Sequence, residues 1–340
     1  MSTVSSTPSL RTFSQRGPTA PGRRVQLVTL GEAMLRLSVR RGDRLEDAPA
    51  FDVHVAGAEA NVAFAAARIG LRSAWVSALP ANPLGHRVAA TLAAAGVDTS
   101  LVHWVEGGRL GLYFVEMGAA PRPIGVVYDR AGSAIAQATP ELFDWEAIAD
   151  TEFMHLSGIT LGLSASCSDI AVRAMQEARR RGAMVTFDVN YRQRLWTSGA
   201  AATAVRSIAP LVDVVICTAE DARDLFGAGG EPETALTTLR ADLAVDTAVL
   251  TLGSAGAIAS LGSETARRPG YVVETVDRVG AGDAFVAGLI WGLRDGSIEL
   301  GLERGLAMSA LKMTLHGDLF RLDAGDVTSL LAGDRREVGR

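Results

Sequence analysis

The stretch richest in chemistry is Glu274-Thr-Val-Asp277-Arg-Val-Gly280-Ala-Gly282-Asp283-Ala-Phe285. From Val286 to Leu293 the apolar and small residues recur at helical spacing, so a helix is predicted to begin near Gly282. The turn Gly280-Ala281-Gly282-Asp283 then sits at a helix N-terminus, where backbone N–H groups and the helix dipole attract anions. Two glycines let the main chain come close to a ligand. A carboxylate at Asp283 is electrostatically awkward there unless it takes a proton or meets a metal ion. The same residues also suit a plain tight turn with Asp283 as a helix cap.

Two other phosphate-binding patterns are excluded. Lys312 is the chain's only lysine and lies between Leu311 and Met313, so there is no Gly-Lys-Ser/Thr of a Walker A loop. A dinucleotide fingerprint would need a third glycine where Phe285 stands. The five histidines have no metal-ligand spacing, and Cys217 ends an apolar run as a small buried hydrophobe would.

The elements that position this turn are short apolar strands alternating with helices. Strands are predicted at Val25 to Leu30, Ser73 to Leu79, Glu152 to Leu156, Ala183 to Phe187, Val212 to Ile216 and Thr247 to Leu252. Helices are predicted at Ala58 to Ile69 and Leu84 to Ala95, closed by Gly70 and Gly96. That alternation predicts an α/β fold: a mostly parallel sheet with helices on both faces. Two regions, about 33–56 and 110–130, instead alternate apolar and polar residues, which predicts a small separate antiparallel β layer, a lid or an ordinary edge hairpin. Its apolar face also suits a homodimer contact.

Composition limits the function classes. The chain has 340 residues, 48% of them hydrophobic, a formal charge of -5 and two cysteines. This argues against disorder, nucleic-acid binding through bulk charge, a membrane span and a disulfide scaffold, and makes a reducing cytoplasm the expected location. Residues 1–24 are acid-free and rich in Ser, Thr, Pro and Arg; they lack a secretory apolar core and read as a tail, with a transit peptide as the alternative, before a single domain at 25–335.

The segment Asp277 to Phe285 resembles the C-terminal signature of the ribokinase-like (PfkB) sugar kinases, with Arg278 in place of the usual threonine. Gly57-Ala58-Glu59-Ala60-Asn61 resembles that family's N-terminal motif, with Ala56 where a second glycine is common. Together with Tyr128-Asp-Arg130-Ala-Gly-Ser133 and Asp188-Val-Asn190-Tyr-Arg192-Gln-Arg-Leu-Trp196, these stretches are most similar to kinases of 2-keto-3-deoxygluconate, and fructokinase-like members share parts of them.

The resemblance implies phosphoryl transfer from Mg2+-bound ATP to the 6-hydroxyl of a sugar acid. Asp283 would be the general base and the amides of Gly280, Ala281, Gly282 and Asp283 an anion hole. It implies that Arg130 and Arg192 hold the acid group, with Tyr113 and Tyr128 beside it and with Gly57 to Asn61 and Asp318 near the sugar. Arginine's planar fork matches a carboxylate. Nucleotide contacts are implied for Asn190 and for the loop Leu252-Gly253-Ser254-Ala255-Gly256-Ala257. Magnesium is implied near Glu220 or Asp221, although Cys217-Thr218 stands where the family has an asparagine. The alternatives are a fructokinase or other sugar kinase of the family, or a sugar-binding sensor that has lost catalysis.

Overall fold

The computed structural model describes residues 25–118, 121–262 and 264–333, so the expected tail and the last two residues of the expected domain lie outside the described residues. Its strands are β1 (Val25–Leu30), β2 (Met34–Ser38), β3 (Asp52–Ala56), β4 (Ser73–Pro80), β5 (Val102–Val105), β6 (Gly111–Glu116), β7 (Gly125–Asp129), β8 (Thr151–Ser157), β9 (Met184–Asp188), β10 (Val214–Thr218), β11 (Thr247–Thr251), β12 (Ala257–Leu261) and β13 (Glu264–Arg268). The helices are α1 (Ala58–Arg68), α2 (Pro83–Ala93), α3 (Trp145–Ile148), α4 (Gly158–Leu163), α5 (Ala165–Arg180), α6 (Ser198–Ile208), α7 (Ala219–Phe226), α8 (Pro232–Leu243), α9 (Ala281–Arg294), α10 (Ile298–Met313) and α11 (Ala324–Leu331).

Nine strands form one sheet in the order β13-β12-β11-β10-β9-β8-β1-β4-β5. It is parallel from β5 through β11, and β12 and β13 add antiparallel at one edge. The central strands carry apolar side chains on both faces because helices cover both. Val28 and Met154 pack with α3 to α8, whereas Leu27 and Phe153 pack with α1, α9, α10 and α11. Strand β10 begins two residues later than expected, because the amide of Val212 closes a tight turn onto the carbonyl of Ala209 (3.0 Å).

The four remaining strands form the separate small sheet, in the order β3-β2-β6-β7. Two of its pairings are antiparallel as expected; the central β2–β6 pairing is parallel. The reason is topological. Between these strands the chain runs through β3, α1, β4, α2 and β5, a crossover long enough to bring β6 back in the direction of β2.

Helix α9 is held tightly at its back. A Cβ on Gly292 would lie 2.1 Å from the amide nitrogen of Gly301, and one on Gly305 would lie 2.8 Å from the Phe285 ring. Backbone thus meets backbone between α9 and α10, which fixes the N-terminus of α9 against the sheet.

Candidate active site

The parallel strands end on a common edge, where ligands bind in open α/β sheets. Gly31, Ser157, Asp188, Thr218 and Leu252 all lie at or just past those ends. The turn before α9 comes to the same edge. Gly280 is the residue before the helix, with φ 84° and no side-chain cap. A Cβ there would lie 2.0 Å from the Asp318 carbonyl oxygen, so both the positive φ and the close approach require glycine. Gly282 is different: a Cβ there would meet nothing within 4 Å. The Ala281 amide, expected in the anion hole, donates to the Arg278 carbonyl (3.2 Å). Among the described residues Gly280, Gly282 and Asp283 remain as its free amides.

Asn61 donates from Nδ2 to Asp283 Oδ2 (2.7 Å), joining the two motifs 222 residues apart. Asp283 is half-buried. Burial pushes its carboxyl up to about 7, while Asn61 and Arg192 pull the other way. Asp188, at the end of β9, is pushed up to about 8, first by burial and then by the charge of Asp283; Arg192 again opposes the shift. Asp221 is raised by burial, with Thr218, Tyr191 and Arg192 pulling the other way, and its amide donates to Thr218 Oγ1 (2.9 Å). Asp188, Asp221 and Asp283 therefore form one acidic flank, with Arg192 as the cation facing all three. Sequence reasoning passed over Asp188, although it opens the quoted stretch ending at Trp196. Asn190, two residues on, takes φ 40°, a left-handed conformation that asparagine tolerates.

The small sheet brings the remaining expected residues together. His54, Arg36, Tyr113 and Tyr128 are successive cross-strand partners on β3, β2, β6 and β7, so they share one face. Tyr113 and Tyr128 stack with centroids 5.6 Å apart. Arg130 and Arg194 lie 5.7 and 6.0 Å from the Tyr128 centroid, and Arg194 Nη1 donates to the Val126 carbonyl (2.7 Å). Arg194 was not foreseen as part of this cluster.

Several expected binding groups are committed to other partners. Arg130 pairs with buried Glu32, whose other oxygen accepts from Ser133. The Tyr113 hydroxyl donates to Asp318 Oδ1 (2.6 Å), and both residues are buried. Glu59 is fully buried. Its Oε1 accepts from the Ser157 amide (3.0 Å), the Ser157 hydroxyl (2.7 Å) and the Thr160 hydroxyl (2.7 Å). Burial raises its pKa. Glu59, expected at the sugar, instead braces α1 beneath Gly31, and Ala60 faces the core between α1 and the small sheet. Gly57 precedes α1 with φ 149°, where a Cβ would lie 2.2 Å from the Glu32 carbonyl oxygen, and Ala58 is buried behind it.

On the opposite side of Asp188, residues Gly253 to Ala255 form an exposed turn after β11, while Gly256 and Ala257 are buried and Ala257 opens β12. The side chain of Ala257, expected at the nucleotide, belongs to the core. Glu220 is exposed and Asp221 half-buried, so Asp221 is the one turned toward the acidic flank. Among the described residues no group of three or more His, Cys, Asp or Glu forms a metal cage. None of the helices searched is long and apolar enough to cross a membrane.

The chain is 39% identical over 316 residues to a 2-dehydro-3-deoxygalactonokinase of Haloferax volcanii, covering 93% of this chain and 99% of that protein. It is 34% identical to a 2-dehydro-3-deoxygluconokinase of Thermoproteus tenax, over 86% of this chain and 90% of the relative. The crystal structure of a 2-dehydro-3-deoxygluconokinase from Thermotoga maritima superposes with a TM-score of 0.85 and 36% identity, covering 91% and 98% of the two chains. The pfkB family carbohydrate kinase pattern matches residues 25–324, and the chain belongs to that family of sugar kinases.

Proposed function

We propose that the protein transfers the γ-phosphoryl group of ATP to the 6-hydroxyl of a 2-dehydro-3-deoxyhexonate. The gluconate form is the substrate read from the sequence. The galactonate epimer stands beside it because the relative from Haloferax volcanii, at 39% identity, acts on that sugar acid. The observation that carries the reading is Asp283: a carboxylate held by Asn61 at the uncapped start of α9, with a proton affinity near neutrality.

In this reading the sugar lies between the small sheet and the strand edge. Arg192 attracts the acid group while Tyr128 and Arg130 line the lid side. Asp283 removes the hydroxyl proton as the oxygen attacks phosphorus, a task suited to a base whose pKa lies near the working pH. The amides of Gly280, Gly282 and Asp283 face the charge that develops on the transferring group. The turn at Leu252 to Gly256, with Asn190, holds the nucleotide on the far side.

Magnesium enters with the nucleotide. The acidic flank suits a hydrated ion more than a fully coordinated one, since Asp221 adds to the charge around Asp188 but, among the described residues, no three ligands close a cage. When bound, the ion neutralises phosphate charge.

The test is direct. Purified protein and ATP are incubated with both epimeric sugar acids, fructose and ribose, with ADP release followed and the product assigned by 31P–1H NMR. The reading expects phosphorylation of a sugar acid at C6 with kcat/KM at least tenfold above either neutral sugar. Preference for a neutral sugar would refute it.

A further inference from the structure

Arg36 is buried to 2% exposure, yet it lies on β2 of the small sheet, outside every motif used above. Its Nη1 is 2.9 Å from Asp277 Oδ2 and 3.0 Å from Asp318 Oδ2, and its Nε donates to Ser38 Oγ (2.7 Å). Both carboxylates belong to the frame of the phosphoryl-transfer turn. Asp277 Oδ1 accepts from the Val279 amide (3.1 Å), and Asp277 Oδ2 accepts from the Gly317 amide (3.1 Å). Asp318 presents its carbonyl to Gly280. Lys312, also buried, donates to the carbonyls of Asp277 (3.2 Å) and Leu315 (3.3 Å). Two cations thus offset two carboxylates, as burial requires.

The placement of Arg36 gives this network a second end. It is the cross-strand partner of Tyr113, whose hydroxyl binds the other oxygen of Asp318, and Tyr113 stacks on Tyr128 at the lid face. We propose that Arg36 is a positioning residue for phosphoryl transfer: by holding Asp277 and Asp318 together it registers the sugar-facing row of the small sheet to the Gly280–Asp283 turn. Without it, two buried like charges push apart the segments that close on Gly280. A displacement of about 1 Å there is enough to lower the rate about a hundredfold. The inference rests on reading that turn as the anion hole.

Arg36→Lys keeps a charge but loses the planar fork that reaches Ser38 and both carboxylates at once. The experiment measures kcat and both KM values for wild type, Arg36→Lys, Arg36→Met and Asp283→Asn. It also measures binding of sugar alone and of sugar with ADP–aluminium fluoride, a mimic of the transferring phosphoryl group. The expected result for Arg36→Lys is a folded protein with kcat at least tenfold lower and sugar binding within about threefold of wild type. Affinity for the ADP–aluminium fluoride complex should fall by the same factor as kcat. Arg36→Met leaves two buried acids with Lys312 alone to offset them and is expected to lose more; should it fail to fold, Arg36→Lys decides alone. A kcat loss of less than tenfold in Arg36→Lys, or a loss not matched by the transition-state mimic, overturns the proposal. A fully active Asp283→Asn would instead defeat the reading of the turn, so the two failures are distinguishable.

Discussion

Replacing Asp283 by Asn is expected to abolish transfer and at the same time stabilise the protein at alkaline pH. The carboxyl rises from 3.8 to about 7 on folding, chiefly through burial. The folded state therefore binds this proton more tightly than the unfolded chain does. An acid shifted upward leaves stability intact below its unfolded value and costs stability as pH climbs toward the folded value, after which the cost is constant. About three pH units at 1.36 kcal/mol each give a ceiling near ~4 kcal/mol. Because Asp283 is only partly buried, solvent screening reduces this to about 2 kcal/mol. Asparagine imitates the protonated form and keeps an oxygen for the Asn61 donor, so it escapes the cost. Differential scanning fluorimetry of the two proteins should show the variant melting about 4 °C higher at pH 8, with the gap shrinking as pH falls toward 4. A variant less stable at pH 8, or with the same advantage at both pH values, would refute the assignment of a strained carboxylate. In wild type, kcat/KM should rise with pH through about 7 as Asp283 gives up its proton.

Gly282→Ala should stabilise α9 by up to ~1 kcal/mol, since nothing crowds the added methyl, yet lower kcat at least tenfold by blocking close approach of phosphate; thermal melts and steady-state rates on one preparation check both. Asn61→Ala removes the hydrogen bond that lowers the proton affinity of Asp283, so the acid limb of the pH–rate profile should move to higher pH. Arg192→Ala should raise KM for the sugar acid at least tenfold while changing that for fructose little, and equal losses on both would remove the acid-specific role.

What the sequence made legible was whatever depends on local pattern. The alternation of apolar runs with helices defined the parallel sheet, and the period-two stretches around Met34 to Ser38 and Gly111 to Glu116 defined the small one. The turn at Gly280 to Asp283 was readable because its chemistry sits in consecutive residues. Hidden from the sequence was whatever depends on which distant groups meet. Glu59 lies in the same motif as Asn61, yet in a helix positions two residues apart point about 160° away from each other. One side chain therefore reaches Asp283 while the other turns into the core against Ser157 and Thr160. Arg36 gave no signal, because a lone arginine in an alternating strand reads as solvent-facing until β6 and the Gly317 turn are packed over it. The parallel β2–β6 pairing was equally unreadable, being set by the length of the crossover and not by either strand's residues.

Two acidic clusters meet at this edge, and their difference separates scaffold from chemistry. Asp277 and Asp318 are buried with Arg36 and Lys312 close by, and a hydrogen-bond donor reaches each of their four carboxylate oxygens. Nothing in that cluster asks for a ligand. Asp188, Asp221 and Asp283 share Arg192 as the cation facing all three, and repulsion between neighbours adds to burial in raising Asp188. An excess of negative charge at the mouth of the proposed phosphate site would by itself repel ATP. It becomes useful if the incoming phosphates bring their own cation and if one of the three carboxylates must be protonated and deprotonated in each turnover. The satisfied cluster holds the turn still, and the unsatisfied one is where charge has yet to arrive.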